Sequence, residues 1–174
     1  MTSEAAGEAP ALLCYDGSDV ARSAIEHAGA VLGGGAAVVL TVWESLGSAV
    51  LRYGPRPHGA LSTDLREISE EVIDEIDGRT ADEAGQTAVE GAEIATAAGF
   101  AARPEARRAL GRAAERQEVT VWRAILDVAD DEQAAVVVLG SRGRSAIKSA
   151  ILGSVSYGVV HHSRRPLLVV PPAH

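Results

Sequence analysis

This sequence is poor in several residue types whose presence would mark a secreted or membrane protein. It has one cysteine, Cys14, which excludes an internal disulfide and fits a reducing compartment. No apolar run approaches the roughly 20 residues that a helix needs to cross a membrane. Residues 1–10 are small and acidic, without the basic and apolar regions of a secretory signal, so we interpret them as a disordered lead-in. These absences favour a protein that neither leaves the cell nor spans a membrane.

Aromatic and basic residues are also scarce. Aromatics make up 3% of the 174 residues, so the core must be built from Ala, Val, Leu and Ile. The formal net charge of −8 argues against non-specific binding to nucleic acid or to anionic membranes. A site for an anion must therefore be locally positive, and the segment that carries Arg142, Arg144 and Lys148 has no acid within it. The length suits one domain, which we place at residues 11–172.

Short apolar runs alternate with helical patterns along the chain. Four runs are too short for typical helices and predict buried parallel strands, at residues 11–15, 36–43, 134–139 and 167–170. A weaker strand at residues 100–110 contains Pro104, which favours an edge position. This alternation predicts an α/β fold with a doubly wound, Rossmann-like parallel sheet of five strands in three α/β/α layers.

The helical segments are predicted from their apolar spacing and their end signals. Ser18 is a candidate N-cap, and the helix after it should stop at the glycines 33–35. We expect Gly78 to interrupt a helical region that runs from residue 64 to residue 98, and the pattern leaves open whether this region is one kinked helix or two. Further helices are predicted at residues 119–131 and 155–162. The residues expected to face the core are Val20, Ala24, Ala28 and Val31 in the first helix, Leu65, Ile68, Val72, Ile76, Ala84, Ala88, Ala92 and Ala95 in the long region, and Trp122, Ile125, Leu126 and Ala129 in the next helix.

Residues 136–155, VVVLGSRGRSAIKSAILGSV, combine a strand, a glycine loop and a helix start. Glycines let a backbone adopt positive φ and approach a ligand closely, which we expect of Gly140 and Gly143. Ser154 at a helix start would leave the first helical amides facing an anion. This order of strand, glycine loop and helix start predicts a phosphate-binding loop. In doubly wound sheets the ligand crevice lies at the carboxyl ends of the strands, where Asp16 and Val42 would join it.

Two other features have plain structural interpretations. Asp16 can form an Asx-turn before the first helix, in place of a role in binding. His161 and His162 are adjacent on a helix and point about 100° apart, so they cannot readily share a metal ion.

The glycine spacing resembles a known signature. Gly140 and Gly143, nine further residues and then Gly153-Ser154 are similar to the pattern G-x-x-G-x9-G-[S/T] of the universal stress protein family. The resemblance extends to the segments LLCYDGSDVARSAIEHA, AVVLTVWES, VTVWRAILDVADDEQAAVVVLGSRGRS and GSVSYGVVHHSRRPLLVVPP. It is loose only between about residues 46 and 116, where the family also varies.

The resemblance implies a cytoplasmic stress-response protein that binds ATP as a regulatory module. It also implies a homodimer through the last strand, at residues 167–170. Asp16 would accept from a ribose hydroxyl or hold Mg²⁺ that bridges to phosphate oxygens. By position, the nucleotide site would comprise Cys14, Asp16, Val42, Leu139, Gly140, Arg142, Gly143, Gly153, Ser154 and Val155.

The residues leave some alternatives open. We find no Ser-His-Asp order, no metal cluster and no Walker lysine, so we expect no enzyme activity beyond slow ATP hydrolysis. An adenylate-forming or ATP-pyrophosphatase enzyme would carry a loop such as S-G-G-x-D-S, which residues 15–18 do not match. A nucleotide-free dimeric interaction protein and a cyclic AMP binder with the same site are the other candidates.

Overall fold

The computed structural model describes residues 9–45, 70–109, 120–143 and 152–172. Five parallel strands form one sheet in the order β3-β2-β1-β4-β5, which confirms the predicted fold class. Because β1 pairs with both β2 and β4, the order of the strands reverses beside β1. The strands are β1 (Ala11–Cys14), β2 (Gly35–Trp43), β3 (Phe100–Arg108), β4 (Val136–Gly140) and β5 (Leu167–Val170).

Helices cover both faces of this sheet, because neighbouring strand residues point to opposite sides and both sides are apolar. One core joins Leu13 and Val39 to the first two helices, and the other joins Leu12 and Val38 to the last two. The three predicted layers are therefore present. The helices are α1 (Asp19–Leu32), α2 (Glu70–Ala97), α3 (Val121–Asp131) and α4 (Ser154–His162).

Helix α1 begins and ends as its sequence predicts, but its last turn does not face the core as expected. The Ser18 side chain accepts from the Ala21 amide at 3.2 Å, and Gly33 ends the helix with φ of 77°. Val31, however, is 68% exposed, so its predicted burial is wrong. The last turn packs through Gly29, where a Cβ would lie 2.4 Å from the Ala98 carbonyl oxygen. Two residues further along the helix, Val31 points to the opposite side.

Helix α2 runs through Gly78 without a break, so the predicted interruption is wrong. Glycine weakens a helix by roughly 1 kcal/mol but keeps its amide, so packing elsewhere can hold the helix together. That packing comes from the predicted alanine stripe, which is buried at Ala84, Ala88, Ala92 and Ala95.

The start of α2 also differs from its predicted orientation. Val72 and Ile76 are 44% and 38% exposed, whereas Asp77 is buried. Asp77 pairs with Arg108 of β3 at 3.1 Å, and this pairing offsets the cost of burying a carboxylate. Asp77, and not Val72 or Ile76, therefore lies on the buried side of α2 in this turn. Two other predicted core residues, Leu65 and Ile68, fall outside the described residues.

The two edges of the sheet differ in chemistry. Strand β3 pairs with β2 and lies at one edge, as Pro104 predicts. It carries ion pairs between Arg103 and Glu132 and between Arg107 and Glu105. The opposite edge strand, Leu167–Val170, has the predicted bounds and contains no charged residue.

Candidate functional site

A cavity of about 450 Å³ opens at the carboxyl ends of β1, β2 and β4, beside the start of α4. It forms there because the strands on the two sides of the reversal send their connections to opposite faces of the sheet. Pockets of this size commonly hold small ligands. All ten residues predicted for the nucleotide site line it, namely Cys14, Asp16, Val42, Leu139, Gly140, Arg142, Gly143, Gly153, Ser154 and Val155. Arg144 and Lys148 lie outside the described residues.

One side of the cavity is apolar. Cys14 and Val42 belong to this wall, and Leu40 and Ile125 extend it. Burial and, to a smaller extent, the negative charge of Asp16 raise the pKa of the Cys14 thiol to about 12. The thiol is therefore neutral at physiological pH and contributes apolar surface.

Asp16 forms the predicted Asx-turn and also lines the cavity. Its Oδ1 accepts from the Ser18 amide at 3.0 Å and from the Ser18 hydroxyl at 2.6 Å, which makes the Asx-turn. Its Oδ2 lies against the glycine loop, where a Cβ at Gly143 would approach to 2.6 Å. The turn therefore orients the carboxylate toward the cavity.

The loop glycines provide space and not unusual backbone angles. Among the described glycines, positive φ occurs at positions 17, 33, 34, 35 and 99, so the expectation of positive φ at Gly140 and Gly143 is wrong. A Cβ at Gly140 would lie 2.8 Å from Val20 Cγ1, because the first turn of α1 packs against the end of β4. Position 143 has no room for a larger residue, because Asp16 occupies the adjacent space.

The start of α4 faces the cavity without a side-chain cap. Gly153 is the N-cap residue, with φ of −71°, and Ser154 is the first helical residue, so the helix begins one residue before the predicted start at Val155. Because the cap residue is glycine, it has no side chain that could hydrogen-bond to the first amides of the helix. Two bonds fix the helix start to the end of β4: Gly153 N to the Ser141 carbonyl and Ser156 Oγ to the Gly140 carbonyl, both at 2.8 Å. The positive end of the helix dipole therefore lies at the cavity.

Two charged residues line the described part of the cavity, one of each sign. Asp16 is the acid and Arg142 is the base. The Nε atom of Arg142 is buried and has no hydrogen-bond partner within the described structure, and the same is true of Ser141 Oγ. The loop thus contributes a cationic residue to the lining of the cavity.

Tyr15 is a residue of the site that the sequence analysis did not single out. Its hydroxyl donates to Glu90 at 2.7 Å, and Arg22 pairs with the same Glu90 oxygen at 2.8 Å. Its carbonyl accepts from the Thr41 hydroxyl at 2.9 Å. Burial and the bond to Glu90 raise the pKa of Tyr15 to about 12. These contacts hold the backbone immediately before Asp16, and the sequence signal was a tyrosine at the end of an apolar strand.

Other lining residues were missed because the sequence does not reveal side-chain direction at the ends of elements. The missed residues are Ala21, Leu40, Val121, Ile125, Leu152 and Ser156, of which Ile125 was assigned only to the core. The histidine pair lies elsewhere, with ring centroids 6.3 Å apart. His161 contacts Tyr157, and His162 stacks on Trp122.

Comparison with known proteins gives partial sequence matches to curated relatives. Universal stress protein MJ0577 of Methanocaldococcus jannaschii is 39% identical over 46 residues, which is 26% of this chain and 28% of that protein. Universal stress protein E of Escherichia coli K12 is 46% identical over 48 residues, which is 28% of this chain and 15% of that protein. The matched segments thus span less than a third of either relative.

Solved structures match over nearly the whole chain at low identity. The structure of MJ0577 has a TM-score of 0.70 and 21% identity, over 95% of this chain and 96% of that chain. A universal stress protein from Archaeoglobus fulgidus in complex with dAMP has a TM-score of 0.53 and 19% identity, over 94% and 98%. A universal stress protein in complex with cAMP has a TM-score of 0.51 and 22% identity, over 92% and 95%. These likenesses show a shared fold.

Two further findings concern membrane-spanning helices and family membership. In the part of the chain that the structure describes, no helix is both long and apolar enough to span a bilayer. The model of the universal stress protein family matches residues 10–171. This chain therefore belongs to the universal stress protein family.

Proposed function

We propose that this protein binds an adenine nucleotide, ATP, in the cavity at the end of β1 and β4. The observation that carries this proposal is the placement of three elements around one space: an apolar wall, the Asp16 carboxylate and an uncapped helix start beside a glycine loop. A base packs on an apolar wall, a ribose needs an acceptor for its hydroxyls, and a polyphosphate needs a helix start and loop amides. The complexes of solved relatives with dAMP and cAMP support an adenine nucleotide.

Each part of the nucleotide has a corresponding set of residues. The phosphates would lie on the backbone of Gly140, Gly143, Gly153, Ser154 and Val155, where amides and the helix dipole favour negative charge. Adenine would pack on Val42, Leu139 and Cys14, with specificity from backbone groups, since these side chains offer apolar surface.

Asp16 would accept from a ribose hydroxyl. The same carboxylate also suits Mg²⁺ bound with ATP, because Mg²⁺ takes one or two carboxylates together with phosphate oxygens. The metal would neutralise phosphate charge beside the acid.

The described lining favours binding over rapid hydrolysis. It contains no histidine and no lysine, and the Oδ1 atom of its one carboxylate already accepts two bonds from Ser18. A fast reaction would need a base placed to activate water. We infer a regulatory module of the stress response that works in the cytoplasm through its bound state, with hydrolysis slow at most.

The test is direct identification and titration of the ligand. Freshly purified protein is denatured and any released nucleotide is identified by mass spectrometry, and ATP, AMP and cyclic AMP are titrated by calorimetry. Val42→Trp, which fills the apolar wall, should lower affinity at least about tenfold, whereas Val89→Trp on the exposed side of α2 should not. Failure of every adenine nucleotide to bind at millimolar concentration would contradict the proposal.

We also infer a homodimer through β5. An apolar edge strand is a liability unless it is covered, and Leu167–Val170 has no charge, whereas β3 carries arginines, a glutamate and Pro104. Light scattering should give twice the chain mass at micromolar concentration. A monomer would contradict the dimer, and a dimer that binds no nucleotide would favour the interaction-protein alternative.

A further inference from the structure

Arg142 is partly buried, and one of its guanidinium donors has no hydrogen-bond partner in the part of the chain that the structure describes. Its guanidinium carries a permanent charge and donors but no acceptor. The Nε atom is shielded from solvent and unbonded within the described structure. A buried donor without an acceptor is destabilising, so such a group is satisfied when an anion enters the space beside it.

The backbone of Arg142 lies at the end of the cavity where the glycine loop meets the start of α4, and the residue lines that cavity. A Cβ at Gly153, the N-cap of α4, would lie 3.7 Å from the Arg142 Cα. The Arg142 carbonyl oxygen would lie 3.1 Å from a Cβ at Gly140, at the end of β4. The residue is thus held between the two ends of the glycine loop. The apolar wall, where a base would pack, is formed by other elements.

The local charges explain why this cation matters. Asp16 is the other charged residue in the described lining, and it repels phosphate. In a partly desolvated site such repulsion is stronger than in water. Arg142 offsets it, and the effect grows with the negative charge of the ligand.

We propose that Arg142 determines the selectivity of this site, because its positive charge attracts the negative charge of the phosphates. ATP therefore binds more tightly than AMP, cyclic AMP or adenosine. This inference rests on the proposed function. It adds that the glycine backbone accepts any phosphate, whereas the Arg142 guanidinium distinguishes a polyphosphate from a single phosphate or none.

The test compares the affinity ratio of ATP to adenosine, measured by calorimetry in the absence of Mg²⁺, between wild type and variants. Arg142→Gln should lower the ratio by about tenfold, because a charge-assisted bond to phosphate is lost while contacts to the base remain. Arg142→Lys should give an intermediate ratio, since lysine keeps the charge but not the planar donor group. Arg79→Gln makes the same change in net charge on the exposed side of α2 and should leave the ratio unchanged.

The outcomes separate this inference from the proposed function. If wild type binds neither adenosine nor ATP, the proposed function is wrong and this inference falls with it. If both bind and Arg142→Gln keeps the wild-type ratio within twofold, only the role of Arg142 is wrong. Should Arg142→Gln fail to fold, as judged by circular dichroism, Arg142→Met of similar length replaces it under the same criterion.

Discussion

Asp16 Oδ2 occupies the space that a side chain at position 143 would need, since a Cβ built on Gly143 lies 2.6 Å from it. The carboxylate cannot easily move away, because Ser18 holds its other oxygen with two hydrogen bonds. The turn after β1 and the loop after β4 are therefore fitted to each other. A larger side chain at position 143 would therefore displace the Asp16 carboxylate.

This fit predicts non-additive effects. Gly143→Ala should lower the free energy of unfolding by about 1 kcal/mol, because the new methyl group displaces Asp16 from its bonds to Ser18. In an Asp16→Ala background the same substitution should cost almost nothing. Urea unfolding of the four proteins gives the coupling energy, and equal costs in both backgrounds would show that Asp16 does not limit position 143.

Two glycines of α2 should respond to alanine in opposite ways. A Cβ at Gly91 would lie 2.6 Å from Tyr15 Cδ1 and 2.7 Å from Val39 Cγ1, whereas nothing lies within 4 Å of one at Gly85. Gly91→Ala should destabilise by roughly 1–3 kcal/mol through overpacking. Gly85→Ala should stabilise by about 0.5–1 kcal/mol through helix propensity. Thermal unfolding measures both, and shifts of the same sign would contradict the packing of α2 on the sheet.

The two N-caps provide a matched comparison. The Ser18 side chain accepts from the Ala21 amide, whereas Thr120 precedes α3 without such a bond. Ser18→Ala should cost about 1 kcal/mol from the lost cap and should weaken ATP binding, because it also releases Asp16. Thr120→Ala should cost less and leave binding unchanged. Urea unfolding and calorimetry on both variants decide the point, and equal stability losses would refute the assignment of Ser18.

Stability should fall at alkaline pH partly because of Tyr15. Burial and the bond to Glu90 raise its pKa from 10.0 to about 12. The folded protein therefore holds the phenolic proton after the unfolded chain has lost it. This contribution is complete below pH 10 and disappears as pH rises from 10 to about 12. Tyr15→Phe should show a smaller loss of unfolding free energy between pH 9 and pH 11 than wild type. An identical loss would mean that Tyr15 does not titrate differently on folding.

Cys14 accounts for a separate part of the alkaline loss. Its thiol pKa is raised from 9.0 to about 12, so its contribution begins to fall near pH 9 in both proteins of the preceding comparison. That shared term cancels in the difference between wild type and Tyr15→Phe.

The parallel sheet, and the alternation of strands and helices along the chain, could be predicted from the sequence. Runs such as residues 36–43 are apolar on both faces, and only a strand covered on both sides tolerates that pattern. Pro104 indicated an edge because proline cannot donate to a ladder. The errors arose where packing overrides local preference. Gly78 did not break α2, and Asp77 is buried in place of Ile76, with Arg108 as an ion-pair partner at 3.1 Å.

The ten candidate site residues were named by the resemblance to the universal stress protein family, which the glycine spacing carries. They line one cavity because parallel strands bring their carboxyl ends to one edge of the sheet. The spacing of residues along the sequence does not show how far apart two side chains lie in the folded protein. The Asp16–Gly143 contact, the bonding of Tyr15 to Glu90 and the unpartnered Nε of Arg142 depend on how separate strands and helices pack. The sequence by itself therefore determined the order of strands and helices and the glycine signature that points to the cavity. Tertiary packing alone decided which atoms face each other there, because those atoms belong to segments far apart in the chain.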